Sequence, residues 1–137
     1  MAVKDKKSGT DRGKLVKLWG EHIPLEDLEK KAPGRNQKGS GIYVLYNGSK
    51  VHYIGLSRTS IRSRLRTHAT KDEHKGKWDN FSFYQIVNKK YVKDTESILL
   101  RIYGPKGNRY TGTFRKKYQV EQNGLKLQRI EVTEKGR

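Results

Sequence analysis

The chain has 137 residues, with 31 Lys and Arg set against 14 Asp and Glu, a net charge of +17 and a sequence pI near 10.1. So large an imbalance on so short a chain points to a polyanionic ligand. The basic residues are interleaved with Tyr, Trp, His and Gly along the whole length instead of lining one long amphipathic helix, which favours nucleic acid over a membrane surface. There is no cysteine, so a disulfide framework and a thiolate zinc site are excluded; four scattered histidines are a poor substitute, and any metal is left to oxygen ligands.

At 32% hydrophobic residues and a mean hydropathy of -0.99, the chain can bury one modest core. A single monomeric domain with charged tails is the expectation. No apolar run reaches the length of a membrane span, and the basic start Met1 to Lys7 lacks the apolar segment of a secretory signal, so a soluble cytoplasmic protein is expected, nucleoid-associated in a bacterial, archaeal or phage setting.

In chain order, residues 1–13 have almost nothing to bury and read as a disordered basic arm. Residues 14–38 form an accessory segment: Leu15 to Trp19 as a short strand or docking piece, then a brief helix from Pro24 to about Ala32, closed by the Pro33 to Gly39 loop. The main domain, 39–112, opens with two alternating runs, Ile42 to Tyr46 and Val51 to Leu56, around Asn47-Gly48, which predicts a β-hairpin. Ser57, Thr59 and Ser60 are capable caps for a helix from about Ser60 to Thr70 with an apolar stripe of Ile61, Leu65 and Ala69. After a charged loop from Lys71 to Lys77 come a third strand, Phe81 to Val87, and an apolar helix, Asp94 to Tyr103, stopped by Gly104-Pro105. The order is β-β-α-β-α, and the fold class it predicts is α+β: a small three-stranded antiparallel sheet flanked by helices. The basic extension 113–137 holds a second candidate hairpin, Tyr118 to Gln122 with Leu125 to Val132.

Several polar residues in this frame suit hydrolysis at phosphorus. Tyr43 and Tyr53 carry phenols that, lowered from a reference pKa of about 10 by nearby cations, can orient or deprotonate water and bond phosphate oxygens; the competing role is that of two half-buried strand tyrosines packing a sheet. A strict two-residue turn would set them on opposite faces, so a shared site requires an odd loop or a bulge. Arg64 and His68, four apart, share a helical face, where Arg64 can clamp a phosphate and His68 can bond it or relay a proton. Arg58, Arg62 and Arg66 occupy a different face and suit flanking phosphates, or else form a plain solvated surface. Lys75 and Lys77 extend the basic contact surface.

The ordered set Gly41-Ile42-Tyr43, Tyr53-Ile54-Gly55, Arg64-Leu65 with His68, Glu96 in an apolar helix, then Pro105 and Asn108 resembles the GIY-YIG nuclease superfamily. The resemblance runs from about Gly39 to Asn108, and the block Lys77 to Ser82 is similar to one in short stand-alone members. It implies a DNA endonuclease that leaves a 5′-phosphate and a 3′-hydroxyl. It also implies that Glu96 is the sole protein ligand of one Mg²⁺ or Mn²⁺ and that Asn108 ties the site together through its amide. A salt bridge to Arg64 or Lys93 is the competing role for Glu96, and a turn position the competing role for Asn108. The chain departs from many relatives at Leu56, where a lysine often stands, leaving His52 and His68 as candidates to assist Tyr43. A non-catalytic module that binds DNA or RNA on the same scaffold is the alternative to an enzyme.

Overall fold

Runs of alternating apolar residues build the sheet, in a computed structural model that describes residues 14–110 and 112–120. Val16–Pro24 (β1), Gly41–Asn47 (β2), Lys50–Ser57 (β3) and Asn80–Ile86 (β4) pair antiparallel in the order β1-β4-β2-β3. The fold is α+β, with four strands where the sequence pattern predicts three. Leu15 to Trp19 is a weak strand signal alone; pairing with β4, from Val16 opposite Ile86 to Pro24 opposite Asn80, draws the strand out to nine residues. The accessory segment therefore supplies an edge strand of the sheet.

Pro24 leads into a 3₁₀ turn, Leu25–Asp27, and a one-turn helix, Leu28–Lys31 (α1), close to the brief helix expected there. The second helix, Ile61–Thr70 (α2), starts where Ser60 accepts a bond from the Ser63 amide at 3.2 Å. The third, Val92–Tyr103 (α3), begins two residues earlier than its apolar pattern suggests and ends at Gly104, left-handed at φ 51°, ahead of Pro105.

β2 lies inside the sheet, so both of its faces are buried and its alternating residues feed two cores. Tyr43 and Leu45 join Phe81, Phe83, Trp78 and the α2 residues Ile61 and Leu65 on one face. Ile42, Val44 and Tyr46 join Ile54, Ile86 and the α3 residues Val92 and Leu100 on the other. α2 and α3 thus cover opposite faces and come near each other only around the free edge of β3. Truncating fully buried Leu65 to Ala would cost about 2–5 kcal/mol and unseat α2.

The hairpin carries the predicted irregularity. Leu45 pairs with Tyr53 but Tyr46 pairs with Val51, so His52 is the extra residue of a bulge. Tyr53 is thereby brought to the face that holds Tyr43 and Leu45. The basic arm 1–13 lies outside the described residues, as does most of the C-terminal hairpin; Lys116–Tyr118, where its first strand is expected to start, forms a 3₁₀ turn. Among the described residues no helix is long and apolar enough to cross a membrane.

Candidate functional site

The bulged hairpin and α2 bring four of the predicted residues together. Tyr43 is fully buried beneath α2, and its ring centroid lies 6.2 Å from that of Tyr53. Gly55 explains how two large rings share one strand pair: a Cβ there would sit 2.5 Å from the Tyr43 hydroxyl and 2.8 Å from the Tyr53 ring. At Gly41 a Cβ would strike the Tyr84 carbonyl oxygen on β4 and meet Ile61 at 2.8 Å, so the glycine lets both β4 and α2 close on the strand. The two glycines of the tripeptides are thus packing requirements of the site.

The Tyr43 hydroxyl bonds His68 Nε2 at 2.7 Å, and His68 Nδ1 bonds the Asp72 carboxylate at 2.6 Å. A carboxylate only accepts, so Nδ1 carries the proton, Nε2 presents its lone pair, and Tyr43 donates to it. Trp78, buried, donates its indole N–H to the His68 carbonyl at 3.2 Å and holds the end of α2 in place. His68 itself is 1% exposed, and burial lowers its pKa against the opposing pull of Asp72.

The phenols do not behave as the charge pattern of the sequence suggests. Burial is the largest influence on both, pushing Tyr43 well above its ordinary value and Tyr53 up as well; the Arg64 guanidinium beside them works the other way and loses. Tyr43 is not a pre-ionised base. Any proton it takes from water must be matched by one it gives to His68. His52, the other candidate assistant, bonds His74 instead, at 3.0 Å.

Tyr53, Arg64, His68, Glu96 and Asn108 line one cavity of about 710 Å³ at the β3 edge, where α2 from one face and α3 from the other both reach. Glu96 makes no ion pair with Arg64 or Lys93 among the described residues; burial raises its pKa, with the Lys93 and Arg58 charges opposing. A half-buried carboxylate facing a cavity without a cationic partner fits a hard divalent ion. Asn108 is buried and bonds both backbone groups of Ile54, accepting from its N–H at 2.9 Å and donating to its carbonyl at 2.7 Å. It stands in for a missing neighbouring strand along β3 and fixes the strand that carries Tyr53.

The outer arginines have different positions. Arg62 donates to the carbonyls of Glu29, Ala32 and Pro33 and to the Glu29 carboxylate, its side chain only 16% exposed, and Arg66 forks onto both oxygens of Glu29. The two clamp α2 to α1, and Arg66 in turn holds the Glu29 pKa down to about 2. Arg58, Lys75 and Lys77 are exposed. The histidines are less scattered than they look in the sequence: His52, His68 and His74 gather beside Tyr53, and His68, Asp72 and His74 can aim ligand atoms within 4.8 Å of one another. That corrects the expectation that only oxygen donors were available. Asp72 and His74 were hidden in a lysine-rich loop; the acid four residues after His68 was the one signal for them.

Comparisons with protein-family models, with curated proteins and with solved structures each find no match to this chain.

Proposed function

We propose that the chain is a metal-dependent endonuclease of the GIY-YIG kind, acting on DNA. The observation that carries this reading is the convergence of Tyr53, Arg64, His68 and Glu96 at one cavity from both sides of the sheet, with Tyr43 buried behind it and bonded to His68. A packing role accounts for the tyrosines, but it does not account for a half-buried carboxylate without an ion pair in the cavity that Arg64 also lines. The charge of +17 supplies the attraction for a phosphate backbone.

The residues divide the work as follows. Arg64, planar and permanently charged, holds a non-bridging phosphate oxygen and stabilises the charge that builds there as water attacks. Tyr43 accepts a proton from the attacking water while passing its own to His68 Nε2, and Asp72 stabilises the imidazolium that results. Because the phenol starts protonated, the transfer is concerted and leaves Tyr43 neutral. Tyr53 orients the water or the phosphate from the same face. Glu96 would hold Mg²⁺ or Mn²⁺, which supplies Lewis-acid stabilisation of the leaving oxygen. The leaving group is the 3′ oxygen of one nucleotide, giving a 3′-hydroxyl and a 5′-phosphate.

A basic binding module on the same scaffold predicts no turnover, and one substitution separates the two. Glu96→Gln keeps the side-chain shape and removes its charge. With plasmid and branched DNA in Mg²⁺ or EDTA, the wild type nicks only with metal, and Glu96→Gln loses at least about 100-fold in rate while DNA binding holds or tightens. Undiminished nicking by Glu96→Gln across a Mg²⁺ and Mn²⁺ titration would defeat the mechanism.

A further inference from the structure

Beside the Tyr43 relay lies a donor set of a different chemical type from Glu96. His68 and His74 are 1% and 5% exposed, and Asp72 sits between them on the turn that follows α2. His74 also donates its backbone N–H to Asp72 Oδ1 at 3.0 Å, which anchors the carboxylate on the turn. His52 bonds the ring of His74 at 3.0 Å, the kind of outer contact that orients a ligating imidazole, and Glu73 adds a second negative charge 3.8 Å from His74 Nε2.

We propose that His68, Asp72 and His74 form a binding site for a borderline transition ion such as Zn²⁺, separate from the hard-cation site at Glu96 and inhibitory to it. Two imidazoles and one carboxylate, with a fourth position open to the cavity, are a zinc donor set. A lone carboxylate such as Glu96 suits a well-hydrated Mg²⁺ and offers Zn²⁺ little. The ligand atoms already lie within 4.8 Å of one another. Zinc bonds of about 2.0–2.1 Å hold tetrahedral donors about 3.3 Å apart, so the Asp72–His68 pair must open somewhat and the wider gaps must close. Asp72, the least buried of the three, is the member best placed to adjust.

The inhibitory consequence follows from the tautomer of one ring, and it rests on the nuclease reading above. Bound through Nδ1, His68 must carry its proton on Nε2 and donates to the Tyr43 oxygen; bound through Nε2, its lone pair is taken by the ion. In both cases His68 ceases to accept the Tyr43 proton, and water loses its route to a base. The ion thus blocks the relay without occupying the phosphate position.

Calorimetric titration of the chelator-treated full chain with Zn²⁺, and of the visible absorption of bound Co²⁺, tests the site with no DNA present. One ion per chain is expected at micromolar concentration, with the melting temperature rising on binding. His74→Ala and Asp72→Asn each weaken it by more than about 100-fold, and Glu96→Gln leaves it unchanged. Asp72→Asn preserves shape and decides the matter if His74→Ala fails to fold. No binding, binding that survives Asp72→Asn, or binding lost in Glu96→Gln would each overturn the site and leave the cluster as a hydrogen-bonded relay only. Should the chain prove not to cleave DNA, the titration still decides the metal site. Should it cleave with Mg²⁺, one equivalent of Zn²⁺ abolishes turnover in the wild type, and a zinc-loaded chain that keeps full activity would overturn the inhibitory role.

Discussion

Two pairs of basic residues at the same helical spacing stand on the two flanks of α2, and they have opposite fates. Arg62 and Arg66 face α1, where Glu29 and three backbone carbonyls absorb their donors. Arg64 and His68 face the cavity, where Arg64 meets two phenols and His68 completes a chain from Tyr43 to Asp72. The spacing is matched, and for Arg62 and Arg64 the residue is too; there only the partner differs. A carboxylate and carbonyls turn an arginine into a brace; phenols, which carry no charge in their protonated state, leave its charge for a ligand.

The strongest way to break this contrast is to truncate each flank in turn. Arg64→Ala should lower the cleavage rate by about 10²–10³-fold, the range for losing one transition-state donor, with little change in the thermal midpoint. Arg62→Ala should do the reverse. It removes several charge-assisted bonds from a largely buried group and should lower stability by about 2 kcal/mol, while the folded fraction cleaves normally. Chemical denaturation and single-turnover cleavage on both variants measure the two axes. If Arg62→Ala instead removed activity at unchanged stability, the division of α2 into a braced flank and an active flank would be wrong.

The relay sharpens the contrast at the level of one atom. Tyr43→Phe deletes the hydroxyl beneath α2 but keeps the ring that packs there, and it should cost about 10²–10⁴ in rate, the range for a positioned general base. His68→Gln should reproduce most of that loss. A double variant no worse than either single one would be the sign of two residues acting as a unit.

Much of this was legible in the sequence, and the limits have physical causes. The hairpin, the capped helix from Ser60 and the Gly104 stop are local signals written in turn and cap residues, and they appear where expected. Requiring Tyr43 and Tyr53 to share a face demands an odd loop or a bulge on the two-residue period of a strand alone, and of the two it is a bulge, at His52, that the structure has. The fourth strand was half visible, because its length depends on pairing with β4 some sixty residues away. The ionisation of Tyr43 departs from the sequence expectation for a related reason: nearby cations can be read from spacing, whereas the desolvation that outweighs them depends on how completely α2 seals the ring. Glu29 had no periodic mark at all. Its role exists only once α1 is folded against α2.

A smaller effect should separate the histidine cluster from the arginine brace. His52, His68 and His74 all have pKa values lowered by burial, so the unfolded chain binds protons that the folded chain refuses as pH falls below about 6.5. Their stabilising effect is complete above that unfolded value and is lost as pH drops toward the folded values. The melting temperature should therefore fall by several degrees between about pH 7 and pH 5.5, and His74→Gln should blunt the dependence. The Glu29 clamp titrates far lower, near 2, and should contribute nothing in that window.

The smallest effect concerns where DNA touches the surface. Arg58, Lys75 and Lys77 are exposed, and the Arg58 charge is felt at Glu96, so a backbone lying across the cavity would meet them. Deleting one cation that pairs with a phosphate should reduce the slope of log affinity against log salt by about one, so Arg58→Ala with Lys77→Ala should flatten it by about two. Arg62→Ala with Arg66→Ala removes the same formal charge from the same helix region but frees no phosphate partner, since Glu29 already neutralises the pair in part. That double variant should change the slope by less than about half a unit. Fluorescence anisotropy over a salt series, on variants whose folding has been checked, distinguishes the two. Equal flattening by both pairs would mean that DNA displaces Glu29 and uses the braced flank as well, and the difference between the two sides of α2 would then be a property of the free protein alone.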